Sequence, residues 1–91
     1  SQFYQHLIML KKNNPVFWNN NYSISFMDSL SDDLIGFYRK NGDEEYGVMI
    51  NLASKSNVIN ITKSVDVIFK DENSQLNRIS PSGYLVYKKK K

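Results

Sequence analysis

From Tyr22 onward, apolar and polar residues alternate with a period of two. That spacing places successive side chains on opposite faces of a strand. The clearest case is residues 34–52, where two alternating runs flank Asn41-Gly42. The dipeptide is a strong hairpin signal, because a type I′ turn needs positive φ at both central residues. With Asn41-Gly42 as the loop, Lys40 faces Asp43, Arg39 faces Glu44, Phe37 faces Tyr46 and Ile35 faces Val48. The other side pairs Leu34 with Met49, Gly36 with Gly47 and Tyr38 with Glu45. The same period marks strands at 22–28, near 57–62, at 65–70, at 75–79 and at 84–88. Tyr22, Ile24 and Phe26 share one side of the first; Val65, Val67 and Phe69 share one side of the third. Turns rich in Ser, Asp, Asn, Gly and Pro separate these runs. Short strands at this spacing predict an all-β sandwich or barrel.

The first residues follow a helical period instead. Over 3–12, Phe3, Leu7 and Leu10 form one stripe with Tyr4 and Ile8 beside it. Lys11 and Lys12 suit the negative end of the helix dipole, Asn13-Asn14 can close it, and Pro15 forbids continuation. Ten residues fall short of the roughly 12–15 that an isolated helix needs in water, so this one must dock on something. The connector 15–21 carries Val16, Phe17 and Trp18, an apolar load that suggests packing against a neighbour.

Composition narrows the classes. Ninety-one residues make one domain. No apolar run reaches the ~20 residues of a bilayer span. The chain shows no leader pattern and reads as an excised piece. It has no cysteine, so disulfides and thiolate metal sites are excluded. The net charge is +3, yet Lys88–Lys91 supply four of the twelve basic residues, leaving eight against nine acidic ones. The basic character is a terminal run, expected to be a frayed, solvated end rather than a nucleic-acid face.

Candidate chemistry is sparse. His6 is the only histidine, and one His without Cys does not make a zinc site. Asp32-Asp33 and Glu44-Glu45 are the acidic pairs; both read as solvated turn charge, because neighbours on a strand point apart. No nucleophile elbow or phosphate loop is present. Asn21-Tyr22-Ser23 and Asn60-Ile61-Thr62 match the glycosylation triplet but are read as strand residues. Phe37-Tyr38-Arg39-Lys40 invites comparison with base-stacking β barrels that bind single strands; the plainer reading has Phe37 in the core and Tyr38 at a rim. Trp18 is either a carbohydrate platform or a plug into an adjacent domain. Thus no catalytic, cofactor-binding or metal residue is assigned and no cofactor is expected.

The order of segments adds a resemblance. Residues 3–18, from Phe3-Tyr4 through Leu7-Ile8 and Leu10-Lys11 to Asn14-Pro15 and Phe17-Trp18, are similar to the stretch that closes the catalytic barrel in the α-amylase family of glycoside hydrolases. Ile35-Gly36-Phe37-Tyr38-Arg39 with Val48-Met49-Ile50-Asn51-Leu52-Ala53 looks like that family's strand pair, and Ile79-Ser80-Pro81-Ser82-Gly83-Tyr84 like its closing strand, with Ser82 where an aromatic is common. The resemblance implies an antiparallel Greek-key β-sandwich preceded by one short N-terminal α-helix. Residues 1–18 would be the last barrel helix and connector, and residues 19–91 the C-terminal domain. It implies a non-catalytic domain of an enzyme acting on α-glucans, partnered by the catalytic (β/α)8 barrel, with no nucleic-acid or membrane partner. Phe3, Leu7, Leu10, Phe17 and Trp18 would form the domain interface. A carbohydrate-binding module contacting α-glucan through Trp18 and a single-strand-binding β barrel are the alternatives.

Overall fold

The computed structural model describes Gln5, Ile8, Met9, Lys12, Asn13, Asn19 and residues 21–91. Gln5, Ile8, Met9, Lys12 and Asn13 have helical backbone, and Ile8 and Met9 are exposed. The expected interface residues Phe3, Leu7, Leu10, Phe17 and Trp18, together with His6, lie outside the described residues. Everything else described is antiparallel β structure and turns. The strands are β1 (Ser23–Phe26), β2 (Leu34–Asn41), β3 (Glu44–Asn51), β4 (Asn57–Val58), β5 (Val65–Lys70), β6 (Arg78–Ile79) and β7 (Tyr84–Lys89).

Five strands form one sheet in the order β1-β2-β3-β7-β5, and β4 pairs with β6 in a separate ribbon. The chain leaves β3, passes through β4 to β5 at the far edge, returns through β6, and inserts β7 between β3 and β5. β3 and β7 are therefore central, and each holds a run of consecutive buried residues, Glu45–Met49 and Tyr84–Tyr87. Such runs show burial on both faces. β1 is an edge strand, exposed throughout.

The faces are distinct. One, here the ribbon face, carries Leu34, Met49, Leu85 and Tyr87, which pack with Ile59 and with Ile79 of β6. The other, the open face, carries Val48 and Val86 with Tyr22, Tyr46, Phe37, Ile50 and Phe69. The strand centred on 65–70 is as expected, whereas those near 57–62 and 75–79 shrink to two residues each. Neither Asn21 nor Asn60 is in a strand: Asn21 lies in an exposed turn and Asn60 is exposed in the irregular stretch after β4.

The hairpin register differs from the expected one. Asn41 pairs with Glu44, Lys40 with Glu45, Arg39 with Tyr46, Phe37 with Val48 and Ile35 with Ile50. The loop is Gly42-Asp43. Gly42 has φ 57°, whereas Asn41 and Asp43 have no positive φ, which is the sign pattern of a type II′ turn. The partner of every β2 residue has moved by two, so each side chain keeps its expected face and changes only its neighbour. Sterics favour the change. The observed register sets Gly36 opposite Met49 and Gly47 between Tyr38 and Tyr87. A Cβ on Gly47 would run into the Tyr87 ring, so the glycine makes room for a tyrosine.

A bulge in β5 overturns a second expectation. Val67 pairs with Tyr87 but Phe69 pairs with Val86, leaving Ile68 as the extra residue. One inserted residue switches the face of everything beyond it. Val65 thus packs with the ribbon-face core, while Phe69 packs on the open face, 5.9 Å from the Tyr84 ring.

Candidate functional site

Two polar side chains hold the loops to the sheet: Asn51 sits in a motif that carried the resemblance, and Asp71 contacts another through Ser80 and Tyr84. Asn51, at the end of β3, is fully buried. Its Nδ2 donates to the carbonyls of Lys55 at 2.9 Å, Ile79 at 3.1 Å and Ser80 at 3.1 Å. Its Oδ1 accepts from Ala53 N at 2.9 Å and Asn57 Nδ2 at 2.8 Å. One amide thereby ties β3 to β4 and β6 and satisfies backbone that the short ribbon leaves unpaired.

Asp71 does the same at the end of β5. Ser74 Oγ donates to its Oδ1, Ser80 Oγ to Oδ2 at 2.6 Å and Tyr84 N to Oδ1 at 2.8 Å. Burial pulls the Asp71 pKa up, but these hydrogen bonds outweigh it and hold the carboxyl below its ordinary value. A Cβ on Gly83 would lie 2.5 Å from Ser80 Oγ and 2.6 Å from Asp71 Oδ1, so this position excludes a side chain. Neither pin was assigned from sequence. The Asp71-Glu72-Asn73-Ser74 spacing, an Asx-type turn, was the available signal.

The acidic pairs fall as follows. Asp32 and Asp33 are exposed. Glu44 and Glu45 are not solvated turn charge, because β3 begins at Glu44 and lysines from elsewhere reach both. Glu44 meets Lys88 at 2.9 Å and Lys91 at 3.1 Å, which hold its pKa down. Glu45 is buried on the other face and meets Lys63 at 2.5 Å and Lys40 at 3.6 Å. Desolvation raises the Glu45 pKa, the Lys63 hydrogen bond lowers it, and the net direction is down. The Lys88–Lys91 run is likewise not frayed. Lys88 and Lys89 continue β7, Lys90 N donates to Ser64 O at 2.9 Å, and Lys90 pairs with Asp66 at 3.6 Å. Among the described residues, no cluster of three or more His, Asp or Glu is gathered to hold a metal, and no helix is long and apolar enough to cross a membrane.

Two surface features remain. A cleft of about 410 Å³ opens on the ribbon face between the β1–β2 loop and residues 57–63, with Met49 and Tyr87 in its lining. Tyr38, Asn57, Asn60 and Lys63 contribute its polar groups. Lys40 and Lys63 each place an ammonium 5.0 Å from the Tyr38 ring centroid, on the ring a stacked base would need. Burial, first, and the neighbouring Tyr38 and Glu45 push the Tyr87 phenol well above its ordinary range. The second feature is the β1–β2 side of the open face, where Phe26 is 74% exposed, Ile24 57% and Ile35 40%.

Neither a protein-family model nor a curated protein matches this chain by sequence. Solved structures match it in three dimensions. The alpha-amylase from H.orenii superposes with a TM-score of 0.77 at 20% identity, over 96% of this chain and 20% of that one. The isomaltulose synthase from Erwinia rhapontici NX5, solved with its natural substrate sucrose, superposes with a TM-score of 0.74 at 20% identity. That match covers 94% of this chain and 17% of the synthase. The chain has the fold of a segment of α-amylase-family structures. It spans a fifth or less of the length of the structures it matches. The expectation drawn from residues 3–18, 35–53 and 79–87 is met at the level of fold.

Proposed function

We propose that this chain is the non-catalytic C-terminal domain, an antiparallel Greek-key β-sandwich, of an α-amylase-like glycoside hydrolase acting on α-glucans. Its role is to pack on the catalytic (β/α)8 barrel and stabilise it. Residues 1–18 form the last barrel helix and connector, and residues 19–91 the domain proper. The observation that carries this reading is the superposition of nearly the whole chain on a fifth of an alpha-amylase. The use of the buried carboxylates supports it. Glu45 is engaged by lysines, and Asp71 by hydroxyl and amide donors. A glycosidase instead needs two carboxylates facing one another across a sugar, roughly 5–10 Å apart. Replacing Trp18 by Ala in the parent enzyme is expected to lower its Tm by several degrees and leave its substrate range unchanged. An unchanged Tm would remove Trp18 from the interface.

The cleft favours a second reading, a carbohydrate-binding module. Rings, amides and a lysine around an apolar floor suit a sugar's mixed surface. Titration with a maltooligosaccharide, followed by amide chemical shifts at Tyr38, Asn57 and Asn60, tests it; a saturable change confined to these residues would support binding.

A further inference from the structure

Four side chains outside the core share one corner of the open face. Ile24 stands opposite Arg39, and Phe26 opposite Phe37, in the β1–β2 register. Ile35 lies two residues from Phe37 on the same face. Phe26 rests edge-on against Phe37 at 6.5 Å between centroids and 71° between planes, so the patch has a set shape. Val58 lies on the ribbon and Leu76 in the loop before β6, whereas the other exposed apolar pair on the sheet, Val67 and Ile68, lies at the β5 bulge on the opposite edge. The ribbon face is already covered by β4 and β6.

Arg39 makes the corner distinctive. It is only 9% exposed, its Nη2 donates to Asn19 O at 2.9 Å, and its Nε has no hydrogen-bond partner. All nine acidic residues of the chain are among the described ones, and the ion pairs they form with other described residues involve Lys40, Lys63, Lys88, Lys90 and Lys91, not Arg39. The guanidinium therefore has no carboxylate from its own domain. A buried charge without a counter-charge is costly, and a planar fork of donors fits a carboxylate.

We propose that this corner, Ile24, Phe26 and Ile35 around Arg39, is where the rest of the parent enzyme's polypeptide docks, through an apolar surface that brings a carboxylate to the guanidinium. The proposal rests on the reading of the chain as one domain of a longer enzyme. The neighbours in structure are at least five times as long as the part this chain covers, so an occupant of that kind exists in each of them.

Thiol accessibility tests it. The chain has no cysteine, so Phe26→Cys puts a unique thiol in the corner. Ser25→Cys puts one on the ribbon face, one residue away and exposed. Each is made in the 91-residue chain and in the parent enzyme freed of other cysteines, then labelled with a maleimide. The expected result is labelling at position 26 at least tenfold slower in the parent, with position 25 labelled equally in both. Adding Arg39→Met to the parent is expected to speed labelling at position 26 several-fold; an unchanged rate removes the carboxylate from the proposal. Equal labelling of position 26 in both proteins overturns it. In that case a parent that still melts as one unit keeps the barrel-packing role by another face, whereas a separately melting domain removes that role too. Slow labelling of the 91-residue chain that vanishes on dilution would show a second copy on the corner, and would also overturn the proposal.

Discussion

Asn51 shows how much can depend on one amide. Its Nδ2 serves three carbonyls from two segments, and its Oδ1 accepts two donors. Asn51→Asp keeps the shape but turns an acceptor toward those carbonyls. Leaving buried carbonyls unpaired and facing a charge is expected to cost about 3 kcal/mol or more, measured by urea unfolding. Asp71 works through its charge state. Its pKa is below the unfolded value, so its contribution is complete above the ordinary carboxylate value of about 4 and fades as pH falls through the folded one. Wild-type stability should therefore stay level from neutral pH to about 5 and drop below about 4. Asp71→Asn should cost about 2 kcal/mol at pH 7, with the gap to wild type closing in acid. A gap that widened in acid would contradict the hydrogen-bonded carboxylate. Ser82 is a smaller case: its φ of 57° is a left-handed conformation that glycine adopts freely.

At the scale of elements, the hairpin separates what alternation can say from what it cannot. Period-two patterning assigned Phe37, Val48 and Ile50 to one face and Leu34, Met49 and Tyr38 to the other, as observed. It could not choose between registers differing by two residues, because both preserve the faces. The choice falls to the turn and to large side chains needing glycine beneath them. The turn is testable. Asn41→Ala is expected to change stability by less than about 0.5 kcal/mol, since Asn41 lies in β2 without positive φ. Gly42→Ala is expected to cost about 1 kcal/mol from its φ alone, as open space surrounds it. Equal costs would restore Asn41-Gly42 as the loop. The β5 bulge was hidden for a similar reason: Val65, Val67 and Phe69 alternate perfectly in sequence, and only pairing with β7 reveals Ile68 as the extra residue. At the β6–β7 turn, Gly83→Ala is expected to cost about 2–3 kcal/mol by crowding Asp71 and Ser80.

For the molecule as a whole, described residues from the motifs that carried the resemblance tie strands and turns together. Asn51 closes one strand pair, Gly83 and Tyr84 N meet Asp71, and Arg39 sits buried on the open face. At 20% identity, the likeness to alpha-amylase and isomaltulose synthase structures is one of fold. If the domain stabilises a barrel, it should share the parent's unfolding transition in calorimetry. A separate low-temperature peak for the domain would count against that role.

The sequence alone determined the faces of the hairpin strands, the position of most turns and the likeness to an α-amylase-type fold, because alternation and motif order are local or linear properties. Tertiary structure decided the register, the face of Phe69, the pairing of the terminal lysines and the roles of Asn51, Asp71 and Arg39. Those depend on which distant groups meet, and no period along a chain records that.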